Sequence, residues 1–112
     1  MKLILLMVIL FSSFCRAEEG IASYYTVKSN KGTRTASGTP LSDKKLTAAH
    51  RSFPFGTKLK VTNTKTNKSV IVTVTDRGPR IKKRIIDLSL EAAKQIGLTP
   101  RQGITKVKIE KA

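Results

Sequence analysis

The chain has 112 residues, with 22 Lys and Arg against 7 Asp and Glu, one His, one Cys and no Trp. That length sets one small domain, and a single His with a single Cys gives neither a zinc cage nor a disulfide framework. The formal charge of +15 favours polyanionic partners and negatively charged surfaces, which leaves nucleic acid and a carboxylate-rich cell wall as the classes to separate.

Residues 1–17 carry the pattern of a secretory signal peptide. Lys2 is a charged start, Leu3 to Phe14 is apolar except for Ser12 and Ser13, and Cys15-Arg16-Ala17 offers a cut after Ala17. The apolar run is too short to anchor stably across a bilayer. A lipid-modified cysteine is the rival reading of Cys15, but Phe14 and Ser12 stand where such signals want a small residue and Leu. Soluble export to the periplasm or cell envelope is the expectation, with no transmembrane segment in the mature chain. Removing Lys2 and Arg16 leaves 20 basic and 7 acidic residues, a formal +13. The domain at 18–112 then has no cysteine and relies on one hydrophobic core.

Ile21 to Val27, rich in Tyr and β-branched residues, predicts a first strand. Lys28 to Thr39 reads as a polar loop, and Lys44 to His50 as a short extended piece. Thr57 to Asn63 alternates polar and apolar. Thr64 to Asn67 is a polar turn into Ser69 to Thr75, which together predict a hairpin. Arg84 to Leu88 is a further short strand. Ser89 is placed to cap one helix, Leu90 to Ile96, stopped at Gly97 and burying Leu90, Ala93 and Ile96. Ile104 to Ile109 alternates again. About six strands and one helix predict a mainly β fold closed as a small barrel. Lys82-Lys83-Arg84 and Lys106, Lys108 and Lys111 read as solvated faces.

Asp76-Arg77-Gly78-Pro79 places an acidic side chain where a strand meets a Gly-Pro turn. Beyond Glu19 the only carboxylates are Asp43, Asp76, Asp87, Glu91 and Glu110. Any acid–base chemistry on a polymer must come from these or from His50.

Six stretches in order resemble the rare lipoprotein A family of septal-ring lytic transglycosylases. They are Gly20 to Tyr25, Thr35-Ala36-Ser37-Gly38, Leu46 to His50 with Phe53-Pro54-Phe55-Gly56-Thr57, Val61-Thr62-Asn63, Thr75 to Pro79, and Arg84 to Ser89. The resemblance covers about residues 20 to 110. It implies a six-stranded double-psi β-barrel acting on peptidoglycan glycan strands, which leaves 1,6-anhydro-muramyl ends without using water. It also implies association with other cell-wall or division proteins. One carboxyl can serve such a reaction, first as acid and then as base, provided it begins protonated. No metal or cofactor is required.

The family's glutamate after the Ala-x-Gly glycine is replaced here by Thr39, and the usual Trp and Gly of the first strand appear as Tyr24 and Thr26. The matching polar positions are His50 and Asp76, which become the candidate catalytic pair with Asp76 as acid/base. Asp87, Tyr24, Tyr25, Thr39 and Arg77 are the candidate substrate-binding residues, one tyrosine packing in the core and the other offering a sugar-stacking face. Three outcomes follow from Thr39: Asp76 is the acid, Asp43 substitutes for the missing glutamate, or the barrel binds polysaccharide without cutting it. The 11-residue spacing of Asp76 and Asp87 is similar to the paired aspartates of expansin barrels, which loosen polysaccharides without hydrolysis. A nucleic-acid role rests on charge alone; the export signal and the lack of a Phe- or Trp-rich stacking surface argue against it.

Overall fold

The computed structural model describes residues 17–28 and 34–112. The expected signal peptide up to Arg16, with Cys15, and part of the first loop lie outside the described residues. Six strands and one helix follow in the order β1 (Glu18–Tyr24), β2 (Thr47–Ala49), β3 (Lys58–Asn63), β4 (Ser69–Asp76), β5 (Arg84–Leu88), α1 (Leu90–Gln95) and β6 (Ile104–Lys111).

The strands close into a barrel in the order β1-β5-β2-β4-β3-β6. Two neighbouring pairs are parallel, β1 with β5 and β2 with β4, and the others are antiparallel. Parallel neighbours need crossovers rather than hairpins. A closed six-stranded sheet with these two parallel pairs is the arrangement of a double-psi β-barrel. Only β3 and β4 are joined as a hairpin, in the register Lys58 with Thr73 through Thr62 with Ser69, as the alternation in the sequence predicts.

The alternating positions point where their period requires. Leu59 and Val61 of β3, Val70, Val72 and Val74 of β4, Ile86 and Leu88 of β5, and Val107 and Ile109 of β6 are all buried in one cluster. Lys58, Lys60 and Lys106 are exposed on the other face. Fully burying each such aliphatic side chain stabilises by about 1.5–3 kcal/mol. Gly20 of β1 is required by proximity: a Cβ there would meet Ile85 Cγ2 at 2.7 Å.

The first strand begins and ends three residues earlier than the sequence predicts. The antiparallel ladder from Glu18 opposite Ile109 to Ser23 opposite Ile104 draws Glu18-Glu19-Gly20 into the sheet. The Val27 amide instead donates to the Asp43 carboxylate at 2.8 Å, which takes the chain out of it. Of the extended piece at 44–50, only Thr47–Ala49 is strand.

The Ser89 hydroxyl caps α1 by accepting from the Ala92 amide, and Gly97 ends it at φ +79°, the left-handed conformation glycine adopts freely. The helix buries Ala92, Ala93 and Ile96, whereas Leu90 is only partly buried. This corrects the expected face: Leu90 opens the helix beside the cap and is not in the buried cluster.

Candidate functional site

The strand register sets four side chains in a lateral row. Ser23 of β1 pairs with Asp87 of β5, Asp87 pairs with Ala49 of β2, and Ala49 pairs with Asp76 at the end of β4. Residues in register on adjacent strands present side chains to the same face. Ala49, only 5% exposed, therefore lies as a small methyl floor between two carboxyls. Both carboxyls are half-buried.

The two acids have different surroundings. Asp76 Oδ1 accepts from the Ala36 amide at 3.0 Å and the Arg77 amide at 2.9 Å, which fixes its carboxylate against the 34–40 loop. Asp87 Oδ1 accepts from the Ser23 hydroxyl at 3.1 Å. Burial pushes the Asp87 carboxyl above the usual carboxylate range, with the charge of Asp76 adding to the effect; the Ser23 hydroxyl and Arg84 oppose it. Desolvation disfavours the charged form of an acid.

Thr39, at the position where the resemblance expects glutamate, is exposed. Its Oγ1 lies 2.7 Å from Thr35 Oγ1 and 3.2 Å from Ser37 Oγ, and the last two hydroxyls are 2.9 Å apart. A ring of three neutral hydroxyls thus occupies the loop position of the missing carboxyl. This loop is tied to β4 through the Ser37 amide, which donates to the Thr75 carbonyl at 3.0 Å.

His50 joins Asp76 through the backbone: the His50 amide donates to the Asp76 carbonyl at 3.1 Å. Its imidazole is engaged elsewhere. Nε2 lies 3.2 Å from Glu18 Oε1, and Nδ1 accepts from the Ser52 and Phe53 amides at 3.2 Å each. The ring also tilts against Phe53, with centroids 4.6 Å apart. A separate depression lined by Ala17, Glu18, His50, Ser52 and Phe53 opens there.

Arg77 donates through one guanidinium nitrogen to the carbonyls of His50 and Phe53, and stacks 4.1 Å from the Phe55 ring centroid. It therefore braces the 50–55 turn beside the row. Asp43 accepts from Val27, as described above, and its carbonyl accepts from the Glu91 amide at 3.0 Å; it clamps the loop to the segment after β1 and to α1.

Both tyrosines are buried at least in part. Tyr24 is half-buried and packs against the core. Tyr25 is 8% exposed with its hydroxyl 2.7 Å from Thr47 Oγ1. Burial pushes the Tyr25 phenol up, the Thr47 bond opposes this, and the charges of Asp87, Asp76 and Asp43 add to the rise.

Sequence reasoning missed Ser23, Ala49 and Thr47. The only available signal was position: Ser23 and Ala49 sit inside the stretches that carry the resemblance, but neither carries an ionisable group to attract notice.

The closed double-psi barrel with a carboxyl pair across one small residue defines the class of this protein. Its fold resembles the Streptomyces papain inhibitor, with a TM-score of 0.67 and 21% identity over 85% of this chain and 93% of that one. It equally resembles an expansin of Clavibacter michiganensis, with a TM-score of 0.67 and 23% identity over 87% of this chain and 50% of that one. The sequence profile of the lytic transglycolase family matches residues 17–109, and the chain belongs to that family. The protein named endolytic peptidoglycan transglycosylase RlpA in Haemophilus influenzae is 50% identical over 93 residues, covering 83% of this chain and 32% of that protein. A protein of Nostoc sp. named probable endolytic peptidoglycan transglycosylase RlpA is 44% identical over 100 residues, covering 88% of this chain and 27% of its own length. This chain spans between about a quarter and a third of the length of these curated relatives.

Proposed function

We propose that this barrel is an endolytic peptidoglycan lytic transglycosylase of the cell envelope, in which Asp87 holds the proton and Asp76 stands beside it as the fixed carboxylate. The observation that carries the reading is the Asp87–Ala49–Asp76 row, where a desolvated acid and a backbone-anchored acid share one floor. Family membership and the names of the relatives support the substrate class. Among the described residues, no helix is long and apolar enough to cross a membrane. Export by a signal peptide at 1–17 and service to other wall proteins belong to the same proposal.

The chemistry needs one proton in transit. Asp87 donates it to the glycosidic oxygen as the C1–O bond breaks and positive charge develops at C1. Asp76, as carboxylate, stabilises that charge. The sugar's own C6 hydroxyl then bonds to C1, and its proton returns to Asp87. One glycosidic bond is exchanged for the 1,6-anhydro bond, no water enters, and the acid is regenerated. Two acids whose surroundings differ in this way are the pattern by which acid and base roles are recognised.

This division moves the acid from Asp76, the residue the sequence favoured, to Asp87. A neutral starting carboxyl is required, and burial shifts Asp87 in that direction. In this scheme His50 and Arg77 hold the 50–55 turn, Asp43 holds the loop, and Thr39 contributes hydroxyl contacts.

The test is incubation of the purified chain with denuded glycan strands and mass spectrometry of the products. Anhydro-muramyl ends from the parent, lost in Asp87→Asn, are expected. Retained sacculus binding without any anhydro product would replace the enzyme with a polysaccharide-binding barrel.

A further inference from the structure

The loop at 50–57, between β2 and β3, and the loop at 77–83, between β4 and β5, are cross-braced by two arginines. The Arg51 guanidinium donates to the carbonyls of Pro79, Ile81 and Arg84. In return, the Arg77 guanidinium donates to the carbonyls of His50 and Phe53. Each loop thus spends one rigid, multiply donating head group on the backbone of the other.

The bracing fixes side chains that face solvent. Ile81 is 54% exposed in the second loop, and Phe55, stacked on Arg77, is exposed in the first. Arg80, Lys82 and Lys83 are exposed on either side of Ile81. Neither loop contains an acidic residue. Exposed apolar residues scattered singly need no explanation. These two stand on loops bonded to each other and set among charges of one sign.

We propose that the two braced loops form a docking surface for an anionic phospholipid bilayer. Ile81, and beside it Phe55, enters the boundary between headgroups and acyl chains, and Arg80, Lys82 and Lys83 meet lipid phosphates. Lys82 and Lys83, which the sequence presents as a solvated face, become part of this surface. A soluble polyanion such as nucleic acid asks only for the cations. A bilayer uses both parts: apolar side chains at the acyl boundary and cations at the anionic surface. The inference is independent of the carboxyl row.

The experiment uses residues 17–112, which hold every strand of the barrel and the whole buried cluster. The vesicles are phosphatidylcholine alone, or phosphatidylcholine and phosphatidylglycerol in equal parts. The chain has no Trp, so one introduced by substitution reports its own surroundings. Ile81→Trp is expected to shift its emission to the blue on the mixed vesicles and not on phosphatidylcholine alone. Ile71→Trp, at an isoleucine of β4 that is 52% exposed, is expected to keep its emission as in water on both. In co-sedimentation, the parent should bind the mixed vesicles at least about tenfold tighter than the neutral ones. Ile81→Ser should weaken that binding about fivefold, as expected for the exposed half of an isoleucine. Lys82→Gln combined with Lys83→Gln should weaken it about 25-fold, at about fivefold for each charge. On a heparin column the serine variant should elute with the parent, and the double glutamine variant earlier. Each substituted side chain is exposed, so the core is unchanged.

Equal binding to the two kinds of vesicle would overturn the inference, as would equal blue shifts from Ile81→Trp and Ile71→Trp. Parental vesicle binding by Ile81→Ser would overturn it as well, and would leave a surface for soluble polyanions. None of these results bears on the carboxyl row, which the anhydro-product assay tests separately.

Discussion

Asp76 and Asp87 stand on the strands either side of β2, each in register with Ala49. The methyl of Ala49 sets the clearance between them, and the nearest atom to a Cβ built on Gly78 is that same methyl, at 3.9 Å. Ala49→Leu is therefore expected to fill the gap. Overpacking of this kind typically costs about 1–3 kcal/mol, so the folded fraction must be checked by thermal melt. Per folded molecule, anhydro-product formation should fall at least about tenfold, whereas Ala49→Ser should stay close to the parent. A Leu variant that cleaves at the parental rate would show that sugar does not occupy the space above Ala49.

Asp87→Asn separates activity from stability. Loss of a positioned general acid costs about 10²–10⁴ in rate, and that is the drop expected in anhydro-product assays. Stability should move the other way at neutral pH. The folded pKa of Asp87 is raised by burial from an unfolded value of about 3.9. Below the unfolded value the carboxyl is neutral in both states and its burial adds no penalty. As pH rises through the folded value, the folded chain must carry a desolvated charge, and that stability is lost. The variant should therefore melt above the parent at pH 7, and the two should converge as the pH is lowered through the carboxylate range. A variant that melts below the parent at pH 7 would remove the desolvated acid from the account.

Thr39→Glu tests which acid works. The residue is exposed and its backbone carbonyl accepts from the Thr35 amide, so a glutamate is accommodated without touching the core. With Asp87 as the proton donor, the added carboxyl is expected to change turnover by less than about tenfold, well short of the 10²–10⁴ a missing general acid restores. A gain in that upper range, measured on denuded strands, would mean that the natural chain lacks its principal acid.

Much of the barrel was legible from alternation alone. The Thr57 to Thr75 region reads as a hairpin because its apolar positions keep period two on both sides of a polar turn, and Val61, Val70 and Val72 are buried accordingly. The parallel pairing of β1 with β5 and β2 with β4 was not legible from pattern, because a crossover leaves no local periodic mark; it came only through the family resemblance. The ends of β1 were misplaced for a related reason. The partner that extends it at Glu18 is β6, 87–91 residues away, and no local propensity encodes that ladder. Asp76 and Asp87 stood out as candidates because carboxylates are scarce, Asp76 sits in a motif of the resemblance and Asp87 follows it at an expansin-like spacing. Their different surroundings were hidden, since burial of Asp87 and the two amides on Asp76 are properties of the closed sheet. The bonding of the His50 ring to Glu18 was hidden likewise.

Asn63 is the place to change stability without changing the site. It is 1% exposed at the end of β3. Its Nδ2 donates to the Ile96 carbonyl at 2.8 Å, while Oδ1 accepts from the Lys65 amide at 2.9 Å and the Thr105 hydroxyl at 3.3 Å. One side chain thus joins the hairpin turn, the end of α1 and β6. Asn63→Leu keeps the branched outline but leaves those groups without partners, at a cost of about 1–3 kcal/mol for a buried unmatched group. For a domain of this size each kcal/mol lowers Tm by about 4–8 °C. Ser69, beside Asn63 in the hairpin, and Asp76 are the two ends of β4, roughly 23 Å apart at 3.3 Å per residue. Turnover per folded molecule at 25 °C should accordingly match the parent within about twofold, a difference under roughly 0.5 kcal/mol. A variant that melts normally would show that the Asn63 bonds contribute nothing net, and one that folds fully yet loses turnover would show that the two ends of the barrel are coupled.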